Sequence, residues 1–371
     1  MATTIKNEAS GHHVVDTAHE DMIHDAQLDY YGKRLATCSS DRTIRIFDVV
    51  DGKPKGEGVV LKGHTAPIWQ ISWAHPSFGS ILASCSYDSR VFVWKETSSS
   101  TTTTTTTNNR GLGGGIGMGK GAAGGAGEWE KIKEVGAHSA SVNSISWAPY
   151  ELGPILACAS SDGKISVLKF NNDGSSDIDT FPAHAIGVNA ISWSPAMSPG
   201  SLTSGPQQQQ QQQQQPGQQQ QQQQGGAGSG EAGYQKKFAS AGCDGVVRIW
   251  NYKDLNGSPE IETTLNAHSD WVRDVAWAPN IGLPGEYIAT CGQDRTVQIH
   301  FRPSPTSAWT STKLLPHGSD NPDPLFPDAV WRVSWSLAGN VLAVACADGK
   351  VTLWKEVIGG KGWECVNEMS G

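Results

Sequence analysis

The sequence predicts an all-β chain, a β-propeller of six four-stranded blades, on three observations. A fifteen-residue skeleton, first seen as LATCSSDRTIRIFDV at 35–49, returns as LASCSYDSRVFVWKE, LACASSDGKISVLKF, FASAGCDGVVRIWNY, IATCGQDRTVQIHFR and LAVACADGKVTLWKE. Apolar and polar residues alternate on both sides of the central Asp in each copy, which is strand periodicity. A second pattern lies upstream, with a His nine residues before a Trp in HTAPIWQISW, HSASVNSISW, HAIGVNAISW and HSDWVRDVAW.

Offsets within the skeleton define the elements in order. Each copy has an apolar residue six places before the Asp, an Ala five before it and a bulky residue six after it. The Asp residues are Asp41, Asp88, Asp162, Asp244, Asp294 and Asp348; the bulky partners are Phe47, Trp94, Leu168, Trp250, His300 and Trp354. The Asp therefore sits in a tight turn between two strands. The His/Trp ruler gives His64/Trp73, His138/Trp147, His184/Trp193 and His268/Trp277, and the first unit fits it with His19 and Leu28. The sixth has Trp335, but Phe326 replaces the His. One unit thus reads His, strand, turn, strand, Asp turn, strand, then a looser fourth strand.

Successive Asp residues stand 47, 74, 82, 50 and 54 apart. The two long intervals hold low-complexity inserts at 98–127 and 196–233, the second with two Gln runs. Removing them restores a period in the forties, which for a four-stranded unit is the WD-repeat signature. The expected organisation is one propeller domain over 1–371, with both inserts as disordered loops too poor in apolar residues to offset ordering entropy.

The same His and Asp residues resemble acid–base pairs, but a chemical site would not recur in nearly every unit. They are expected to be structural pins: His19–Asp41, His64–Asp88, His138–Asp162, His184–Asp244 and His268–Asp294, with Asp348 lacking a His. GGGIGMGKG within 98–127 lacks the Gly-Lys-Ser/Thr ending of a phosphate loop and a flanking strand and helix. No nucleophile beside a base, metal cluster or cofactor loop is legible, so neither enzymatic activity, a metal nor a cofactor is expected.

Seven Cys include no C-x-x-C pair, and six lie one to four residues before a repeat Asp, inside a strand. They read as small buried thiols in a reducing compartment. A net charge of −8 disfavours direct nucleic-acid binding. The N-terminus has no apolar stretch resembling a signal peptide, and no run approaches a membrane span, so membrane association is expected only through partners.

Ring closure stays open at this level. The last blade owns a fourth strand, GWECVNEM, after the turn IGGKG, and only HHVV at 12–15 offers a weak N-terminal strand. An open ring would expose apolar faces of the first and sixth blades, the mark of a partner site. A closed adaptor propeller reading peptides is the alternative, with contacts at His24, Trp69, Asn143, Asn189, Arg273 and Trp331.

Two stretches are more specific than the general repeat. HDAQLDYYGKRLATCSSDRTIRIFDV at 24–49 and VWRVSWSLAGNVLAVACADGKVTLWKE at 330–356 closely resemble the small WD-repeat subunit family of the COPII vesicle-coat outer cage, which also serves the Y-shaped scaffold of the nuclear pore. The resemblance covers nearly the whole chain outside the inserts, which depart from the compact family pattern; a closely related nuclear-pore propeller, sharing the open architecture, is a second alternative. The resemblance implies an open six-bladed propeller completed by a blade inserted from a partner, burying about 2,000 Å² or more. It also implies partners: the large cage subunit in the coat, a helical nucleoporin in the pore, and a nutrient-signalling complex as a third setting. The implied locations are the cytoplasmic face of the ER membrane, COPII vesicles and the nuclear envelope. By analogy the inserted blade docks between Ile23, Ala26 and Leu28 on the first blade and Val333 and Trp335 on the last.

Overall fold

The computed structural model describes residues 15–97, 128–197, 199–200, 234–253, 257–280, 282–316, 325–357 and 362–370. The insert at 98–127, residues 201–233 of the second and most of the HHVV stretch lie outside them. At the base of the second insert, Met197 and Tyr234 form an antiparallel bridge.

Among the described residues, 24 strands, numbered β1 to β24 in chain order, form six four-stranded antiparallel sheets of consecutive strands. The innermost strands are β1 (Ile23–Leu28), β5 (Ile68–Trp73), β9 (Val142–Trp147), β13 (Val188–Trp193), β17 (Val272–Trp277) and β21 (Val330–Trp335). The sheets are six blades of a propeller. The sixth blade owns its fourth strand: β24 (Trp363–Ser370) pairs with β23 (Lys350–Glu356).

Period two makes each strand two-faced. In the second blade, Ile68, Ile71, Leu82, Phe92 and Trp94 share a buried cluster with Ala36, Cys38, Ile44 and Ile46 of the first. The alternate residues Ala83, Cys85, Val91 and Val93 join a cluster with the third blade. The rule is general: one parity of each repeat faces the preceding blade and the other faces the next.

The repeated His and Asp meet inside each blade. Histidine Nδ1 lies 2.7 Å from the carboxylate in His19–Asp41, 2.9 Å in His64–Asp88, 3.1 Å in His138–Asp162, 2.9 Å in His184–Asp244 and 3.0 Å in His268–Asp294. The other ring nitrogen bonds a hydroxyl: Thr37 at 2.9 Å, Ser84 at 2.9 Å, Ser166 at 2.8 Å, Ser240 at 2.8 Å and Thr290 at 2.9 Å. Trp94 and Trp250 donate their indole N–H to Ser84 and Ser240, at 3.0 and 2.9 Å, completing an Asp–His–Ser–Trp chain across the blade. In the third blade Cys158 occupies the hydroxyl position, and His138 turns to Ser166 on the neighbouring strand instead.

The sixth blade replaces the whole network. Phe326 takes the His position and Val344 the hydroxyl position, and both pack with Trp354 in one buried cluster. The Phe326 and Trp354 rings lie 6.1 Å apart. Exchanging the His and the hydroxyl together strands no buried donor, because Trp354 donates its indole N–H to Thr352 at 2.8 Å instead, which keeps the change inexpensive. Asp348 there accepts the backbone N–H of Lys350 at 3.0 Å, closing the turn without a His.

Candidate interaction site

Successive inner strands pack on one another around the ring: β1 on β5, β5 on β9, β9 on β13, β13 on β17 and β17 on β21. No comparable packing joins β21 back to β1. Burial of equivalent residues shows the consequence. Ile68, Val142, Val188, Val272 and Val330, which open the later inner strands, are 0–1% exposed; Ile23, their counterpart in β1, is 43% exposed.

The same contrast runs along both blades. Leu28, at the position of the inner-strand Trp, is 57% exposed. Leu35 is half-buried, whereas Leu82, Leu156, Phe238, Ile288 and Leu342 at its position are fully buried. On the sixth blade, Ala343, Ala345 and Leu353 are half-buried, whereas Ala83, Ala157, Ala239 and Ala289, equivalents of Ala343, are fully buried. All of these face the junction of the sixth and first blades. Among the described residues its two apolar faces are partly uncovered, with Phe47 of the first blade buried behind them.

The polar ties between blades break at the same place. Each inner strand normally presents an acceptor to the next blade: Asp25 to Ile71 N–H at 3.2 Å, Gln70 to Ile145 N–H at 2.8 Å, Ser144 to Ile191 N–H at 3.3 Å and Asp274 to Val333 N–H at 3.0 Å. The fourth blade has Ala190 there and uses Ser192, which accepts Trp277 N–H at 3.0 Å. In the sixth blade the position is Arg332, which can only donate. The returning clasp is the Trp indole, donating to the preceding blade's backbone: Trp73 to Gln27 O at 3.1 Å, Trp147 to Ser72 O at 3.0 Å, Trp193 to Ser146 O at 3.0 Å and Trp335 to Ala276 O at 3.0 Å. Leu28 has no N–H to send to the sixth blade.

Near the axis, burial raises the carboxyls of Asp25 and Asp274, opposed by Arg332. Burial alone would lower Arg332, but Asp274 and Asp25 hold it above the ordinary arginine range.

Ile23, Ala26 and Leu28 have the parity that faces this junction. Val333 and Trp335 do not, and the expectation placing them there is corrected: Val333 is buried in the cluster shared with the fifth blade, and Trp335 clasps that blade. The reason is geometric. Equivalent positions in a ring all point the same way round, so the positions facing the gap from the first blade face the fifth blade from the sixth. The junction residues of the sixth blade are the alternate ones, Arg332, Ser334, Ala343, Ala345, Val351 and Leu353. Applying period two to each flank separately would have found them.

The adaptor candidates are largely engaged within the protein. Asn143 and Asn189 donate to Val188 O at 2.9 Å and Val272 O at 2.8 Å, and Trp69 donates to Ser141 at 2.9 Å. His24 bonds Ser40 at 2.7 Å, and its ring packs edge-on against Trp69. Arg273 lies between the rings of Trp271 and Trp331 and donates to Gln293. Trp331 remains half exposed.

Comparison with known proteins gives this geometry a family. The WD domain, G-beta repeat model matches residues 12–48, 56–95, 129–168, 259–300 and 326–355. It passes over most of the fourth blade, which the second insert splits between β13 and β14 (Lys237–Gly242). The protein transport protein SEC13 of Cryptococcus neoformans var. neoformans serotype D (strain JEC21) is 60% identical over 360 residues, covering 96% of this chain and 97% of its own. That of Mycosarcoma maydis is 54% identical over 364 residues, covering 96% and 94%. The chain belongs to the SEC13 family. A Drosophila melanogaster SEC13 homolog, 44% identical over 359 residues, covers 96% of this chain and 83% of its own. As a SEC13-family WD-repeat propeller the chain is a structural protein, not an enzyme. Its recurrent His and Asp serve the blades.

All seven cysteines are free. Burial pushes the Cys158 thiol up to about 12 and raises Cys38, Cys85 and Cys291 well above the ordinary range, so they are packing groups rather than nucleophiles. Among the described residues no His, Cys, Asp and Glu cluster could hold a metal, and no helix is long and apolar enough to cross a membrane.

Proposed function

We propose that the chain is a structural subunit of the COPII outer coat and of the nuclear pore scaffold, and that a partner inserts a blade between its first and sixth blades. The observation that supports this is the uncovered junction, with Ile23 43% exposed where every equivalent is buried. The relatives named protein transport proteins support the coat setting. In the coat the donor is the large outer-cage subunit, and in the pore a helical nucleoporin; a nutrient-signalling complex is a further setting. The propeller stiffens a cage edge and meets the membrane only through partners. It works at the cytoplasmic face of the ER, on COPII vesicles and at the nuclear envelope.

The test is affinity capture of the tagged full chain from its own cells, beside Leu353→Asn, which makes the junction face polar. Wild type retains the large coat subunit and a scaffold nucleoporin, and the variant loses both while remaining folded. Equal retention by the variant would overturn the reading.

A further inference from the structure

The junction face of the first blade is not apolar throughout. On β3 (Thr43–Val50) and β4 (Lys53–Lys62), Ile44, Ile46 and Leu61 point into the cluster shared with the second blade. Their alternates Thr43, Arg45, Val60 and Lys62 therefore point the other way, towards the junction; Thr43 pairs with Lys62 and Arg45 with Val60 across the strands. Together with Arg42, Gly63, His64 and the carboxylates Glu20 and Asp41, they line a cavity of about 420 Å³. Arg45 Nε is buried and has no hydrogen-bond partner, and neither Arg45 nor Lys62 has an ion-pair partner among the described residues.

On the second and fourth blades the chain neutralises such charges itself. Arg90 of the second blade is 3.2 Å from Glu134, and Arg248 of the fourth, at the position of Arg45, is 2.9 Å from Asp244. The contrast is sharper because the whole chain carries a net charge of −8. Nearer the axis, the Arg332 charge of the opposite flank is already met by Asp274 and Asp25, which leaves Arg45 and Lys62 as the contrast. Covering these groups with an apolar sheet would strand a guanidinium and an ammonium away from water, an expensive outcome unless each meets an anion.

We infer that the inserted blade is acidic on the face that meets the first blade, placing carboxylates against Arg45 and Lys62. This rests on the proposed blade insertion and specifies the chemistry of the partner. The apolar inner part of the junction, Ile23, Leu28 and Leu35, supplies burial, and the basic outer part selects a sheet whose outer strands carry Asp or Glu.

Two measurements on the full chain captured with its bound partners test this. The first is a zero-length carbodiimide cross-link, which joins an amine only to a carboxylate in contact, read by mass spectrometry. Lys62 is expected to link to an Asp or Glu of the partner's inserted segment; a Lys62 that links to no partner carboxylate contradicts the inference. The second compares wild type with the double variant Arg45→Glu, Lys62→Glu and with Leu353→Asn. The charge-reversed chain should retain at least tenfold less blade donor, while its own melting temperature is not lowered. If Leu353→Asn loses the donor but the charge-reversed chain keeps it, insertion stands and the acidic blade is refuted. If both variants keep the donor, insertion itself fails.

Discussion

At the residue scale, the pins show why the repeat is so regular. Burial alone would raise Asp41, but hydrogen bonds from Thr43, His19 and the Glu20 backbone hold it at about 2. Burial likewise opposes ionisation of Asp294, which His268, Thr296 and the Ser269 backbone hold at about 2. A depressed carboxyl contributes stability above its unfolded value of about 4, and that contribution is lost as pH falls towards 2. Histidines act in a higher window. Burial, reinforced by His268, holds His300 down to about 3, and burial also lowers His138 and His184. The unfolded state takes up their protons first, so stability falls as pH drops below about 6.5. His300→Phe should flatten this acid limb between pH 6.5 and 3, by up to about 1.4 kcal/mol per pH unit, in melting scans across pH. Unchanged slopes would show that His300 protonates freely in the folded chain. Gly242 illustrates a steric limit: a Cβ there would lie 2.1 Å from His184 Nδ1 and 2.3 Å from Asp244. Gly242→Ala should cost about 1–3 kcal/mol in denaturant unfolding through displacement of that pin.

At the element scale, the blade is legible in the sequence because its signals are local and repeated. The tight turn, the His nine residues before the Trp and the alternation of Ile44, Arg45 and Ile46 each follow from spacing alone. The fifth and sixth blades show how substitutions are absorbed. His300 stands in for a Trp, sharing hydrogen bonds with Thr290 at 3.1 Å and Ser311 at 2.7 Å. Phe326, Val344 and Trp354 abandon the polar network together. Phe326→His alone would therefore place an imidazole against Val344, with the Thr352 hydroxyl already engaged by the Trp354 indole at 2.8 Å. It should destabilise the chain by about 2–3 kcal/mol, whereas adding Val344→Thr should recover part of that loss. Equilibrium unfolding of both single variants and the double variant measures the coupling.

At the scale of the whole molecule, the junction was only partly legible. The exposed flank of the first blade could be named, since Ile23, Ala26 and Leu28 occupy positions that pack in every other blade. The opposite flank was misassigned to Val333 and Trp335, because a repeat alignment shows which positions are equivalent but not which neighbour each one faces. The residue spacing also left ring closure undecided. That depends on the distance between strands about 300 residues apart, and the repeat pattern carries no such term. Arg332 is the local signal of the junction: a donor at the inner position where four other blades carry Asp, Gln or Ser.

The sixth and first blades leave an uncovered face between them. Thiol labelling tests it most directly, with single cysteines introduced at Ala343 on the sixth blade and at its equivalent Ala289 on the fifth, which is 0% exposed. Maleimide incorporation at each introduced site is followed by mass spectrometry of the labelled peptides in the isolated chain and in the captured complex. Ala343→Cys in the isolated chain is expected to label rapidly, at least 100-fold faster than Ala289→Cys, and to be protected in the complex. Equally slow labelling at both sites in the isolated chain would mean a closed ring and contradict the uncovered face.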